Sequence, residues 1–154
     1  MYSQKIKYNN SFIVILASET MIHEISFDHN KFNRERPNIL TKECCKQLRE
    51  FFKGERNIFD LPLELNGTEF QKSVWGELAK IPYGETRSYE DIAISVGNKN
   101  KVRAIGMANH RNKFPIIIPC HRVINKNGNL GGYAGGVDTK VELLKLEKSY
   151  TPLS

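Results

Sequence analysis

Two apolar runs near the N-terminus give way to helical spacing further along the chain. Residues 12–18 (Phe-Ile-Val-Ile-Leu-Ala-Ser) and 21–27 (Met-Ile-His-Glu-Ile-Ser-Phe) predict two strands joined by a short turn. Residues 28–40 are polar, contain Pro37 and read as a loop. Thr41 is placed to cap a helix that carries Cys44, Cys45, Leu48, Phe51 and Phe52 on one side, with Gly54 as its stop. Residues 58–65 are extended but hold Pro62, which fits an edge strand or a linker.

Asn66-Gly67 is a turn and a domain boundary. Thr68-Glu69-Phe70-Gln71 then matches a capping box, and its helix carries Phe70, Val74, Trp75 and Leu78, ending before Pro82. Ser88 caps a second short helix that Gly97 ends. Residues 101–110 form a third, with small residues Ala104, Gly106 and Ala108 on one side. Two short helices around a glycine-containing turn predict a helix-turn-helix. Residues 114–118 (Phe-Pro-Ile-Ile-Ile) read as a buried strand or strand-like segment that Pro119 ends. Residues 131–136 are a glycine-rich loop without the Gly-Lys-Ser/Thr ending of a phosphate loop. Asp138 or Thr139 caps a last helix. The expected fold is therefore a small α/β domain over residues 1–65, then a mainly α domain over 66–154 with a helix-turn-helix, winged-helix-like.

Composition narrows the class. At 154 residues, 40% hydrophobic and 26% charged, the chain is an ordinary globular protein. It has no apolar run long enough to cross a bilayer and no secretory leader, so we expect a cytoplasmic protein, or a nuclear one in a eukaryote. Three cysteines, two of them adjacent, argue against a disulfide framework, and no metal-ligand spacing occurs. His23, His29 and His110 are scattered and fit surface or core-edge positions. The net charge is +6, and it is concentrated. Between Asp91 and Asp138 there is no acidic residue, while Lys99, Lys101, Arg103, Arg111, Lys113, Arg122 and Lys126 are all basic. Removing those seven leaves −1 for the rest of the chain. Such clustering is the footprint of a polyanion site, or of a solvated basic face.

That same segment holds Pro119-Cys120-His121-Arg122. A thiol held at the end of a rigid apolar segment, beside a base that titrates near neutral pH, is how a protein mounts a cysteine nucleophile.

Residues 118–123 (Ile-Pro-Cys-His-Arg-Val) resemble the active-site signature of the 6-O-alkylguanine-DNA alkyltransferases. The resemblance spans residues 66–149 and includes Ile81-Pro82-Tyr83-Gly84, Ser88-Tyr89, Arg103-Ala104-Ile105-Gly106 and Tyr133-x-Gly-Gly in the family's order. It implies a ribonuclease H-like N-terminal domain. It also implies irreversible transfer, once per molecule and without a cofactor, of a methyl or alkyl group from the carbon-6 oxygen of guanine in DNA to Cys120. The carbon-4 oxygen of thymine is a second expected donor. On the same resemblance His121 deprotonates Cys120 through a bridging water, Glu147 holds the histidine, Tyr89 donates to ring nitrogen 3, and Asn112 braces the turn below the cysteine. Carbonyls of Cys120 and Val123 would read the exocyclic amine. Tyr133 would line the alkyl pocket, the Ala134 amide would face the substrate oxygen, and Gly135 is a further expected substrate-binding residue. The base must leave the stack to be reached. Arg103 matches the residue that fills the gap, on a helix expected in the minor groove with little sequence preference; Ala104, Gly106, Ser88, Lys99, Lys101, Arg111 and Arg122 are the remaining expected DNA contacts. We expect a monomer, no membrane partner and no metal.

Lys113 stands where the family often has proline, and Ala134 where it often has serine. The zinc ligands some members carry in the N-terminal part have no counterpart here. Three rival readings compete with this one. A non-catalytic relative that binds alkylated DNA and recruits other repair factors would replace Cys120. A Cys-His hydrolase would need an oxyanion hole. A helix-turn-helix regulator would give Cys120 and Glu147 nothing to do.

Overall fold

The first strand begins where the sequence pattern predicts none. In the computed structural model, which describes residues 1–28, 30–31 and 34–150, β1 (Tyr2–Tyr8) pairs antiparallel with β2 (Ser11–Ala17), Tyr2 opposite Ala17. β3 (Ile22–Ser26) pairs antiparallel with the other edge of β2, giving the order β1-β2-β3. Ile6 is the one aliphatic residue of β1, and only Ser3 and Ile6 are buried, so the strand carries no alternating apolar signal. β2 buries Ile13, Val14, Ile15 and Ala17 and is held by ladders on both sides. His29, together with Phe32 and Asn33 of the expected loop, lies outside the described residues.

α1 (Ile39–Phe52) packs on β1 and β2. Its cap is Asn38, not Thr41: Asn38 Oδ1 accepts from the Thr41 amide at 2.8 Å, and Thr41 Oγ1 accepts from the Asn38 amide at 2.8 Å. Thr41 is thus the third helical residue of a reciprocal capping box, and the helix starts earlier than the apolar spacing shows. Cys44 and Cys45 are fully buried packing residues. Residues 58–65 pair with the sheet at an isolated bridge, Ile22 to Leu63, where the Ile22 amide donates to Pro62 O at 2.7 Å and the Glu64 amide to Ile22 O at 2.9 Å, and Glu64 also pairs with His23 of β3.

The chain divides into two compact units, Met1–Leu65 and Asn66–Ser154. In the second, α2 (Glu69–Leu78) opens on the Thr68–Gln71 capping box and α3 (Tyr89–Ser95) on a Ser88–Asp91 box. Gly97, at φ 87°, ends α3: its amide donates to Ile94 O, and the Asn98 amide to Ala93 O. This is the left-handed glycine stop that turns the chain into α4 (Val102–His110). α2 and α3 both pack on α4, and Trp75 Nε1 donates to Ala108 O at 2.8 Å, pinning α4 from beneath.

Residues 114–118 do not form the expected strand; they fold into successive turns. Pro115 has no amide hydrogen, and Ile116 takes a φ of 74°, which no strand accommodates. Phe114, Ile116 and Ile118 are still buried, so the apolar run marks the interior without marking its shape. Two two-residue strands, β4 (Arg87–Ser88) and β5 (Val123–Ile124), pair in parallel and join the start of α3 to the segment after Cys120. α5 (Val137–Tyr150) begins before either expected cap, so Asp138 and Thr139 lie within its first turn.

Replacing Asn38 with alanine should lower unfolding free energy by about 1 kcal/mol, the usual cost of losing such a cap. Urea denaturation of the N-terminal unit by far-UV circular dichroism checks this, and an unchanged midpoint would place the cap elsewhere.

Candidate active site

The turn that carries Cys120 is built by side chains that replace missing backbone bonds. Asn112 Oδ1 accepts from the Phe114 amide at 2.9 Å, and its Nδ2 donates to Ile118 O at 2.8 Å. Pro119, at φ −79° and ψ 66°, makes an inverse γ-turn, closed by the Cys120 amide donating to Ile118 O at 2.7 Å. Cys120 then opens a single 3-10 turn, Cys120–Arg122, which gives three successive side chains three different directions. Cys120 is 3% exposed and lines a cavity of about 400 Å³. Tyr89, Arg103, Gly106, Asn109 and Asn112 border it on one side, and Gly131, Tyr133 and Ala134 on another. Gly131 keeps this wall close to Tyr89: at φ 72°, it leaves no space for a Cβ, which would stand 3.0 Å from Tyr89 Oη.

Beneath the thiol lies a buried ionic cluster centred on Glu147, which is 1% exposed. His121 Nε2 is 2.5 Å from Glu147 Oε2. Arg122 donates to both carboxylate oxygens, from Nε at 2.9 and 3.1 Å and from Nη2 at 2.9 Å, and its Nη1 donates to Ile81 O at 2.7 Å. The Gly84 amide adds a bond to Oε1 at 2.9 Å. Burial pushes the Glu147 carboxyl up, but His121 and Arg122 outweigh it and hold it below the ordinary carboxylate range. The carboxylate therefore accepts, so His121 Nε2 carries the hydrogen. Burial also holds His121 below its ordinary value, with Glu147 opposing. The ring is thus neutral and keeps a lone pair on Nδ1, which has no partner among the described residues.

Sequence reading misses Lys140. It is wholly buried on α5, and its Nζ donates to Val123 O at 2.6 Å and also to Leu130 O and, at 3.5 Å, Gly132 O. Burial pulls its ammonium down to about 8, with Cys120 pulling the other way. One signal was available: Lys140, Leu143 and Glu147 fall at i, i+3 and i+7, so a lysine shares a face with an apolar residue and the key carboxylate. Burial pushes the Cys120 thiol up to about 11; hydrogen bonds from Asn112 and Tyr133 and the Lys140 charge act against it.

The other expected residues divide. Arg103 and Gly106 line the cavity on α4; Lys99, Lys101 and Arg111 are exposed, with Lys101 Nζ 5.6 Å from the Phe70 ring centre. Arg122 is corrected: 5% exposed and clamped on Glu147, it has no guanidinium face left for a phosphate. Val123 and Gly135 do not line the cavity, and the Val123 carbonyl accepts from Lys140. Ser88 spends its hydroxyl capping α3, and Ala104 lies beside the cavity wall rather than in it.

Two outcomes follow from these charges. Lys140→Met should slow alkylation of Cys120 by iodoacetamide at pH 8, because the cation that favours the thiolate is gone; peptide mass mapping reads the rate, and an unchanged rate removes the coupling. Stability has its own pH signature. His121 and Glu147 are both depressed in the fold, so the unfolded chain takes those protons first and stability falls as pH drops below 6.5 and again below 4.5. On the alkaline side, depressed Lys140 raises stability with pH between about 8 and 10.5, while elevated Cys120 lowers it between 9.0 and about 11. Cys44 and Cys45, held protonated by burial as well, add to the loss above 9.0, so scanning calorimetry should show Tm falling on the acid side and falling again above about pH 9.

With this geometry in hand, relatives give it a family. Residues 69–149 match the family model described as 6-O-methylguanine DNA methyltransferase, DNA binding domain, and residues 8–65 match that of its ribonuclease-like domain. A methylated-DNA–protein-cysteine methyltransferase of Methanosarcina acetivorans is 56% identical, over 89% of this chain and 92% of its own. The constitutive protein of that name from Bacillus subtilis is 52% identical, over 88% of this chain and 81% of its own. The crystal structure of Mycobacterium tuberculosis OGT in complex with DNA superposes with a TM-score of 0.88 at 38% identity, covering 99% of this chain and 96% of that one. The chain belongs to the 6-O-methylguanine DNA methyltransferase family.

Proposed function

We propose that the protein repairs alkylated guanine in duplex DNA by taking the alkyl group onto Cys120, once per molecule. The observation that carries this reading is a thiol facing a purine-sized cavity with a neutral imidazole and a buried carboxylate behind it. The Cys120 proton passes through water to His121 Nδ1, and Glu147 stabilises the imidazolium that forms, the logic of a nucleophile–base–carboxylate relay. The sulfur attacks the alkyl carbon; the S–C bond forms as the C–O bond to carbon 6 breaks. The electron pair stays on the purine, and the Tyr89 hydroxyl supplies a proton to ring nitrogen 3. The product is a thioether, which no group in the cavity can reverse.

Lys140 assists at the same moment. Its ammonium favours the developing thiolate, and its bonds to Leu130 and Gly132 carbonyls hold the wall against which the base rests. Tyr133 closes the alkyl end, with the Ala134 amide near the departing oxygen. Arg103, exposed at the cavity mouth, enters the gap left by the extruded base, and Lys99, Lys101 and Arg111 meet phosphates. Such contacts carry little sequence information and favour the minor groove face of α4, whose small residues allow close approach. A single chain suffices for this chemistry.

Intact mass after incubation with duplex DNA containing O6-methylguanine tests the reading. One methyl should be added, mapping to Cys120, in a burst without turnover; Cys120→Ala should bind the DNA and gain no mass. Arg103→Ala should slow repair of duplex DNA by about tenfold, a part of the few kcal/mol that base flipping costs, and leave transfer from the free modified base unchanged. Equal loss on both substrates would remove the intercalating role, and a methyl on any other residue would sink the assignment.

A further inference from the structure

The two-residue strands β4 and β5 bring Tyr89 and Asn125 together. They run parallel with Ser88 opposite Ile124, and Tyr89 and Asn125 are the next residue along each chain. The polar ends of the two side chains converge on one spot: a Cβ at Gly131 would stand 3.0 Å from Tyr89 Oη and 3.6 Å from Asn125 Nδ2. Both side chains line the cavity, but Tyr89 is half-buried and Asn125 exposed, so the carboxamide stands nearer the mouth.

Asn125 is held by its backbone. Its amide donates to Asn129 O at 2.7 Å, and its carbonyl accepts from the Gly128 amide at 2.9 Å, closing a turn. Lys126 Nζ, 3.3 Å from Glu90 Oε2, ties that turn to the start of α3, beside Tyr89. The Asn125 side chain makes no hydrogen bond among the described residues. A fixed backbone thus carries an unspent donor at the rim of the cavity. The substrate's own geometry says what would meet it. Carbon 6 and ring nitrogen 3 lie across the six-membered ring from each other, and nitrogen 3 is on the side of the glycosidic bond. With the alkyl carbon at Cys120 and nitrogen 3 at Tyr89, the sugar leaves on the Tyr89 side, toward the mouth.

We propose that Asn125 is a further substrate-binding residue: its carboxamide N–H donates to a phosphate flanking the extruded nucleotide. Phosphate is the strongest acceptor on that part of the strand, and hydrogen bonds to ionised oxygens are the stronger class. The contact holds the nucleotide out of the stack by its backbone, whereas Arg103 fills the space that the base leaves. The inference rests on the alkyl-transfer reading above, including the role of Tyr89, and adds a residue to it.

Single-turnover methyl transfer at subsaturating substrate tests this with Asn125→Ala and Asn125→Asp. The substrates are duplex DNA containing O6-methylguanine, the modified strand alone and the free modified base, with Tm recorded for each variant. Asn125→Ala should lower the rate on DNA relative to that on the free base by about tenfold, the low end of what one hydrogen bond to a charged group contributes. The loss should be the same in single-stranded and duplex DNA, since both keep the phosphate. Asn125→Asp should lose more, because it sets a carboxylate against that phosphate. An uncharged methylphosphonate, placed in turn at the two phosphates beside the modified guanine, locates the contact. At one of them Asn125→Ala should cost nothing further, and the extra loss of Asn125→Asp should shrink. A wild-type ratio of DNA to free-base rates in Asn125→Ala, an equal loss on DNA and free base, or a loss that persists at both neutral phosphates would each overturn the proposal. Those results would leave methylation of Cys120 by the wild type standing, whereas a wild type that gains no methyl removes the alkyl-transfer reading as well.

Discussion

One buried carboxylate organises the C-terminal unit. Glu147 accepts from His121, Arg122 and the Gly84 amide, while Arg122 reaches on to Ile81 O. Three segments far apart in sequence, the turn after α2, the Cys120 turn and α5, are therefore fixed to a single anion. Burying such an ion costs several kcal/mol, which only a full set of hydrogen bonds offsets. The 3-10 turn makes the set attainable. It lets His121 and Arg122, neighbours in sequence, approach the same carboxylate while Cys120 borders the cavity. Fixing the carboxylate fixes the imidazole tautomer, and that leaves Nδ1 with a lone pair that has no partner among the described residues.

α5 contributes a second buried charge of opposite sign. Lys140 and Glu147 lie two turns apart on one face, with Leu143 between them. The carboxylate orders the segment that carries the base, and the ammonium orders the glycine loop and β5 through their carbonyls. Each charge therefore positions one wall of the cavity and tunes one titrating partner. Their joint effect on Cys120 is restrained: burial keeps the thiol protonated at rest despite the nearby cation. A resting thiol resists oxidation, and ionisation is deferred until a base is in place to take the proton.

What the sequence made legible was whatever depends on near neighbours. The capping box at Thr68, the cap at Ser88 and the glycine stop at Gly97 are local chemistry, and each stands where the pattern put it. Burial was less visible. Arg122 counts as a positive charge in sequence and looks like a phosphate contact; only the fold shows it enclosed. Lys140 looks like any solvated helix lysine until α5 is turned to show Leu143 beside it. Five apolar residues from 114 to 118 satisfy a strand pattern, yet Asn112 supplies side-chain bonds that make a turn cheaper than a ladder. β1 escaped notice because one buried isoleucine is too little periodicity, and β4 and β5 because two residues carry none.

The three cysteines show why a buried thiol becomes a nucleophile in one place only. Burial raises all three: Cys45 reaches about 12, Cys44 goes further, and Cys120 stops at about 11 although it is enclosed as well. Around Cys44 both Cys45 and Glu43 oppose ionisation, and at Cys45 only Arg49 works for it. Around Cys120, Asn112, Tyr133 and Lys140 all favour the anion, and the sulfur borders a cavity instead of α1's packed face. Exposure does not separate them, since none is appreciably accessible. The difference is a set of donors aimed at one sulfur, held by a turn whose own backbone bonds are completed by Asn112. Reactivity here is thus a property of the walls around the thiol, and those walls are set by two charges on a single helix.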